Sequence, residues 1–400
     1  MGNRLYVFTG TFPFDNRESF LEQELPYLCS AFDDVFFLPL GGAGTKQRIL
    51  PDGVKVDQSL HCGRWKKVIL GIANSWRVFP LYYVDFFSSK VYLSKGKFFS
   101  WIKSTLLASY YLQSKLIKQL RKCVTNNDVL YYYWGIDYNC IAPFFKGKCI
   151  QVSRFHGDWD LWRDGGKREP YSPCREHILQ SLTCAITISE KGQRFLKSLH
   201  PYLLVKTFRL GSLDCGVSKK SSDGIVRVLS CSTVYPLKRV DFIFECLQSM
   251  ANKGFRIEWT HIGGGAQFTA LRDKCFASNN EGIKVNLVGN LTHNDVLDYY
   301  KKHQVDVFIN LSTNEGIPVS VMEAISFDVP VVATDVGATQ EVVTEQSGVL
   351  VSPNPSIEEV NNAIITVLKK DLNPRAFWEL FYNAEKNYQQ FATYLNSLTI

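Results

Sequence analysis

The chain reads as an α/β protein built from two successive parallel-sheet domains. Three observations predict this. Short apolar runs of strand length alternate with longer amphipathic stretches over most of the sequence, the pattern of repeated β–α–β units. A polar segment rich in Ser and Lys, residues 217–224, interrupts the alternation near the middle. Finally, 400 residues exceed one ordinary core. They suit two domains of roughly 150–200 residues each.

In the first domain, strands are expected at residues 5–8, 35–38, 129–133, 149–152 and 185–188, where apolar and aromatic residues run together. Helices are expected at 19–31, 101–122 and 190–199, where apolar positions recur at helical spacing. The linker falls around 209–224. A second series follows, with strands at 226–231, 257–263, 284–288, 305–309 and 329–333. Its helices are expected at 240–251, 267–275, 295–302 and 319–326. Residues 373–398 read as one long helix with no strand after it. Its aromatics, Phe377, Trp378, Tyr388 and Phe391 among them, need a surface to bury against, and the first domain is the expected surface. The expected domains are therefore 1–210, 211–372 and a returning helix at 373–400.

Composition excludes several classes. An apolar fraction of 46% with 21% charged residues is ordinary for a globular chain and argues against disorder. The net charge of +7 fits a phosphate-bearing ligand or an anionic membrane surface, and no nucleic-acid signature accompanies it. Eleven cysteines without a C-x-x-C pattern suit reduced thiols and give no paired zinc spacing. The first residues carry no secretory leader pattern, and no apolar run is long enough to span a bilayer. A cytoplasmic location is expected, with association at the inner face of the cell membrane left open.

The strongest site signal is Asn314-Glu315-Gly316-Ile317-Pro318, followed by Glu323. It lies between an expected strand and an expected helix, so the helix starts at the carboxyl edge of a parallel sheet, where such folds bind ligands. Gly316 permits a tight turn, and Pro318 suits the helix start. The amides and dipole of a helix start favour a phosphate. Glu323 sits roughly two turns deeper, where a buried carboxylate needs a hydroxyl or N–H partner. At the corner after the first strand of the second domain, Ser232 and Thr233 are followed by Lys238 and Arg239. Lys238 supplies a mobile cation suited to a diphosphate. Gly263 closes the next strand within a glycine triplet, and Gly289-Asn290 closes the one after.

These residues resemble glycosyltransferase family 4, a retaining group with the GT-B fold. Its hallmark is two glutamates separated by seven residues, which Glu315 and Glu323 satisfy. Residues 333–337 and Glu341 also follow its pattern. The resemblance implies two Rossmann-like domains facing across a central cleft. Glu315 would bind donor-sugar hydroxyls, Glu323 the nucleotide ribose, and Lys238 the leaving diphosphate, with Gly289 and Asn290 bordering the base. The family places an Arg five residues before this Lys, and here that position is Thr233. The hydroxyls of Ser232 and Thr233, or Arg239, are the candidates to replace it.

In the first domain, Gly10, Thr11 and Phe12 follow the first strand and Glu18 opens a helix. The resemblance places this loop near donor phosphate and acceptor. His156, after a strand and before Gly157, would approach the reacting region of the sugar. Arg154 could meet an acceptor phosphate or form a structural ion pair. Ser189 is a good N-cap. Asp158-Trp159-Asp160 is a literal D-x-D, which holds a metal in the other large glycosyltransferase fold. Here donor binding is already accounted for, so no metal and no separate cofactor are expected. Lys and Arg recur among aromatics from Trp76 to Lys122, which suits either a membrane-facing surface or a solvated basic helix. The implied partners are a nucleoside-diphosphate sugar, UDP-linked by first choice, and a glycan or lipid-linked acceptor. Two alternatives stay open: a sugar-nucleotide 2-epimerase, and a non-catalytic sugar-nucleotide-binding protein.

Overall fold

The computed structural model describes residues 2–14, 18–42, 47–157, 160–162, 171–278 and 280–399. The chain forms two compact units. The first comprises residues 1–210 and 388–400, and the second residues 211–387.

The first unit begins β1(Arg4–Thr9), α1(Ser19–Ala31), β2(Asp34–Pro39) and β3(Val54–Val56). A helical layer follows: α2(Arg64–Ala73), α3(Phe79–Ser88), α4(Lys95–Gln113) and α5(Lys115–Cys123). The chain then returns as β4(Asp128–Tyr132), β5(Ile150–Phe155), α6(Arg175–Leu179), β6(Cys184–Thr187), α7(Glu190–Leu199) and β7(Val205–Thr207). The seven strands pair in the order β3-β2-β1-β4-β5-β6-β7, all in parallel. Parallel strands covered on both faces are withdrawn from solvent along their whole length, and β4 and β5 are buried at every position, including the polar Gln151, Ser153 and Arg154 of β5.

The second unit runs β8(Ile225–Cys231), α8(Val240–Asn252), β9(Arg256–Ile262), α9(Phe268–Phe276) and β10(Ile283–Gly289). It continues with α10(His293–Lys302), β11(Val307–Asn310), α11(Val319–Ser326), β12(Val331–Thr334), β13(Gly348–Val351) and α12(Ile357–Lys369). Its six strands are also parallel, in the order β10-β9-β8-β11-β12-β13. The chain ends in α13(Pro374–Phe381) and α14(Ala384–Ser397). Both units are α/β and Rossmann-like, in keeping with the GT-B class expected from the sequence.

Three expectations need correction. Residues 373–398 form two helices, not one. Tyr382 is fully buried, its carbonyl accepts from Ser212 N (3.0 Å), and Ala384 N donates to Ser212 O (3.1 Å). This bridge to the inter-unit connection takes the backbone groups that a continuous helix would use. Second, the helix expected at 101–122 starts earlier and splits at Ser114, whose hydroxyl caps Ile117 N (3.2 Å) and restarts the helix as α5. Third, β3, β7 and β13 were not foreseen. They are edge strands of three or four residues, too short to show a periodicity.

The last helix is anchored in the first unit by a buried ion pair. Arg154 on β5 and Glu24 on α1 are both fully buried and meet at 2.5 Å. The Arg154 guanidinium lies 4.0 Å over the ring of Phe391 on α14, and Phe391 also packs on Tyr131. Of the two roles left open for Arg154, the structure gives it the structural ion pair and not the acceptor contact. Removing one partner strands a buried charge, which costs about 3–5 kcal/mol. Glu24→Ala is expected to lower unfolding free energy by about that amount in a urea titration. A loss below about 1 kcal/mol, the range of exposed pairs, would contradict this role.

Candidate functional site

In the second unit the carboxyl ends of β8, β9, β11 and β12 carry the loops that build the site. Lys238 and Glu315 meet at 2.5 Å, with side chains 18% and 12% exposed. Each is held by backbone. Lys238 ends a short 3-10 turn, Pro236–Lys238, and the carbonyl of Leu237 beside it accepts from Thr313 N (2.8 Å). The loop after β8 is thereby tied to the loop after β11. Glu315 also accepts from Asn310 Nδ2 (3.2 Å). Asn310 is fixed in turn, because its Oδ1 accepts from Ser312 N (3.0 Å) and Ser312 Oγ (2.6 Å).

The turn holding Glu315 is packed against Gly337, which has φ +59°. A Cβ there would lie 1.7 Å from the Glu315 carbonyl oxygen, so only glycine fits. Ala338 N donates to Gly316 O (3.0 Å) and completes the clamp. Ile317 is buried, and Pro318 is the N-cap of α11, which begins at Val319 as expected. Val321 N and Met322 N donate to the Pro318 carbonyl (3.2 and 3.3 Å), while Val319 and Ser320 precede any acceptor in the helix, so the α11 start favours an anion.

Glu323 is buried on α11 and accepts from His293 Nε2 (2.8 Å) at the start of α10. His293 was missed in the sequence. Its signal was its place at a helix start just after Gly289-Asn290, beside the N-cap Thr292. Cys231 ends β8. Burial, reinforced by the Glu323 carboxylate and opposed by the Lys238 ammonium, pushes its thiol up to about 12. The thiol therefore stays neutral.

Other expected contacts turn out to hold loops together. Arg239 adopts φ +46° and gives its guanidinium to the carbonyls of Leu311 (2.7 Å), Ser312 (3.2 Å) and Pro353 (2.7 Å). Burial lowers its pKa. The expectation that Arg239 replaces the missing Arg is corrected, because three carbonyls already take its donors. Gly263 has φ +136°, and a Cβ there would lie 1.9 Å from Ser232 O. Its glycine is needed for close approach of the loop after β8. Asn290 accepts from Gly264 N (2.7 Å), so it links the ends of β9 and β10. Gly289 has φ +78°, with open space where a Cβ would stand. Thr233 is exposed and Ser232 half-buried. A cavity of about 380 Å³ sits at the opposite edge of the sheet, among Arg227, Glu258, Tyr299 and His303, and shares no residue with this cluster.

In the first unit, Glu18 is the centre. Its carboxylate accepts from the amides of Gly10 (2.8 Å), Thr11 (2.8 Å) and Phe12 (2.7 Å). It also accepts from Trp134 Nε1 (2.6 Å). The loop after β1 is therefore an amide nest of the kind that binds anions, and Glu18 fills it. Phe12 points into the core, fully buried against Phe37, which corrects its expected contact with an acceptor. The His156 ring packs against both Tyr133 and Trp134, with centroids 4.8 and 4.3 Å away. Its buried nitrogens have no hydrogen-bond partner among the described residues, and the nearest carboxylate, Asp160, is 3.6 Å away. Asp160 instead accepts from the amides of Gly135, His156 and Gly157. Of the D-x-D, Asp158 and Trp159 lie outside the described residues, as do Asp15, Asn16 and Arg17. Among the described residues no cluster of three metal-ligating side chains forms.

Residues 219–384 match the family described as glycosyl transferases group 1. The matched segment lies within the second unit. The chain is similar to the Escherichia coli O-antigen biosynthesis glycosyltransferase WbnH, 24% identical over 208 residues. That match covers 51% of this chain and 56% of the relative, so the chain spans about half the length of the curated relatives it matches. In fold it is similar to the lipopolysaccharide outer core galactosyltransferase WaaB, with a TM-score of 0.66 at 14% identity over 98% of this chain and 99% of that one. It is also similar to Anabaena Alr3699/HepE in complex with UDP, with a TM-score of 0.65 at 14% identity over 99% of this chain and 100% of that one. The matched segment holds Lys238, Glu315, Glu323 and His293. Among the described residues of the whole chain, no helix is long and apolar enough to cross a membrane.

Two outcomes follow from this geometry. Gly337→Ala is expected to push the Glu315 turn aside and weaken UDP binding about tenfold or more, with about 1 kcal/mol lost from the positive φ alone. Calorimetric titration with UDP checks it, and unchanged affinity would remove Gly337 from the site. His293→Ala is expected to raise the donor KM about tenfold while kcat changes little, the size of one charged hydrogen bond. Steady-state kinetics reads that split, and a fall in kcat alone would contradict it.

Proposed function

We propose that this chain is a retaining hexosyltransferase of family 4 type. In this reading it moves a sugar from a UDP-sugar to a lipid-linked glycan acceptor in the building of bacterial surface polysaccharide. The observation that carries the reading is the Lys238–Glu315 pair beside the start of α11. The likeness to an O-antigen glycosyltransferase supports the polysaccharide assignment, and the likeness in fold to a UDP complex supports the nucleotide.

The donor diphosphate lies against the first turn of α11, where amides and dipole favour negative charge. As the bond from the anomeric carbon to the diphosphate oxygen breaks, its electron pair leaves with the diphosphate. An ammonium has three N–H donors, so Lys238 can hold Glu315 and still meet the leaving phosphate. The acceptor hydroxyl oxygen bonds to the anomeric carbon on the face the diphosphate leaves, and its proton passes to the departing phosphate oxygen. Attack and departure on one face keep the anomeric configuration. Glu315 orients sugar hydroxyls, and Glu323, steadied by His293, accepts from the ribose. Gly316 and Ile317 contribute backbone near the phosphates, Ser232 and Thr233 border them, and Gly289 and Asn290 shape the side toward the base. In the first unit, Gly10, Thr11 and Glu18 form the loop assigned to the acceptor, and His156 is the buried group assigned beside it. The scheme places the diphosphate charge on Lys238 and the α11 amides and calls on no metal or cofactor.

One observation favours a second reading. Thr233 stands where the family has Arg, and Arg239 is tied to three carbonyls, which leaves Lys238 as the cation of the cluster. A binding protein without turnover would need no more. Supplying UDP-sugars with and without a lipid-linked glycan separates the readings. Acceptor-dependent UDP release is expected, and Lys238→Ala and Glu315→Ala are each expected to lower kcat/KM about 10²–10³-fold in folded protein. Near-normal turnover in either variant would reject the site. Tight UDP binding with no transfer would support the binding protein, and an epimerised donor formed without acceptor would support a 2-epimerase.

A further inference from the structure

The outer face of the helical layer formed by α2, α3 and α4 has the wrong polarity for a solvated surface. Twelve of the twenty-five large apolar side chains exposed among the described residues fall between Trp65 and Phe99, so the exposure is concentrated in one stretch. On α2, Trp65, Ile69 and Ile72 recur at the spacing of one helical face, and Trp65 is 79% exposed. Gly71 marks the inner side, where a Cβ would lie 2.6 Å from the Leu106 carbonyl of α4. On α3, Phe79, Tyr83 and Phe87 again recur four residues apart and are exposed, while Tyr82 and Asp85 face inward. Their rings run on as a chain, Phe79 to Tyr83 at 5.4 Å, Tyr83 to Phe87 at 4.9 Å and Phe87 to Tyr92 at 6.3 Å. At the start of α4, Phe99 is 69% exposed. Since α2 and α3 both pack on α4, these stripes lie on the outside of one layer.

The charge on this stretch has a single sign. Residues 58–127 contain twelve Lys and Arg and one carboxylate, Asp85. Asp85 is buried and bonded by Tyr171 and Ser89. Arg64, Lys66, Lys90 and Lys95 are exposed beside the apolar stripes, and the Arg77 guanidinium lies 4.7 Å over the exposed Trp76 ring. A protein-binding surface of this size is normally depleted in Lys at its core. Aromatic side chains flanked by Lys and Arg match instead the boundary between lipid headgroups and acyl chains, and the positive charge complements anionic headgroups. The geometry points to this layer as a docking face for an anionic bilayer surface, on which the Trp, Phe and Ile side chains of α2 and α3 insert while the lysines meet lipid phosphates. Neither helix spans the bilayer, since at ten residues each is about 15 Å long. The docking does not depend on the donor-site reading.

Sedimentation with vesicles tests it. The full chain is mixed with phosphatidylcholine vesicles, or with vesicles also containing phosphatidylglycerol, at low and high salt. Binding to the anionic vesicles is expected, weakened by salt. Ile69→Ser with Phe87→Ser and Phe99→Ser is expected to cut the bound fraction at least about tenfold, and Lys66→Glu with Lys95→Glu to do the same at low salt. These exposed side chains lie outside the donor cluster, so UDP affinity in the same variants should match wild type. That control separates failure here from failure of the proposed activity. Wild-type protein that stays in the supernatant with anionic vesicles would overturn the proposal. So would equal binding to the uncharged vesicles. A concentration-dependent dimer that the serine variants abolish, without vesicle binding, would show instead that this face joins two copies of the chain.

Discussion

The second unit is organised around the placement of one ammonium beside one carboxylate at a helix start. A Lys and a Glu that are both mostly withdrawn from solvent lose hydration, and their attraction offsets that loss only in good geometry. The structure supplies that geometry from three directions. Thr313 N on Leu237 O joins the two loops, Asn310 holds Glu315 from below, and Gly337 lets the 335–338 turn close over the Glu315 backbone. These are backbone or short polar contacts with little freedom to relax. The site is therefore preorganised rather than assembled by flexible side chains.

Much of the fold was legible because each sheet is wound from repeated β–α–β units whose apolar strands are buried on both faces. The helices 19–31, 190–199 and 319–326 coincide with α1, α7 and α11. The short edge strands were not legible, because three or four residues carry no period. The helical layer from Arg64 to Ser88 was hidden for a different reason: α2 and α3 expose their apolar stripes, so burial and hydrophobicity disagree there. The break between α13 and α14 depends on a partner some 170 residues earlier in the chain, Ser212, which no local pattern reveals.

The candidate site shows the same division. Glu315, Glu323 and Lys238 were legible because their spacing and their strand–helix context are local. Their supports were not. His293, Asn310 and Gly337 reach the cluster from separate loops. Arg239 shows the reverse error, since a basic residue near a strand end reads as a ligand contact until its acceptors are seen. Arg239 spans the ends of β11 and β13, and Arg154 clamps α14 to the first unit. Glu18 was placed in the right loop, but its four donors include Trp134, which comes from the loop after β4. Its carboxylate occupies an amide nest suited to any anion, so this loop is kept ordered by an internal charge.

The central claim is that Lys238, positioned by Glu315, recognises a diphosphate. Comparing UDP with uridine by isothermal titration calorimetry, in wild type and in Lys238→Met, tests this most directly. The account predicts that UDP binds wild type at least about tenfold more tightly than uridine, a difference of about 1.4 kcal/mol, and that most of this difference disappears in the variant while uridine affinity is kept. Equal affinity for UDP and uridine in wild type, or an undiminished preference for UDP in Lys238→Met, would contradict it.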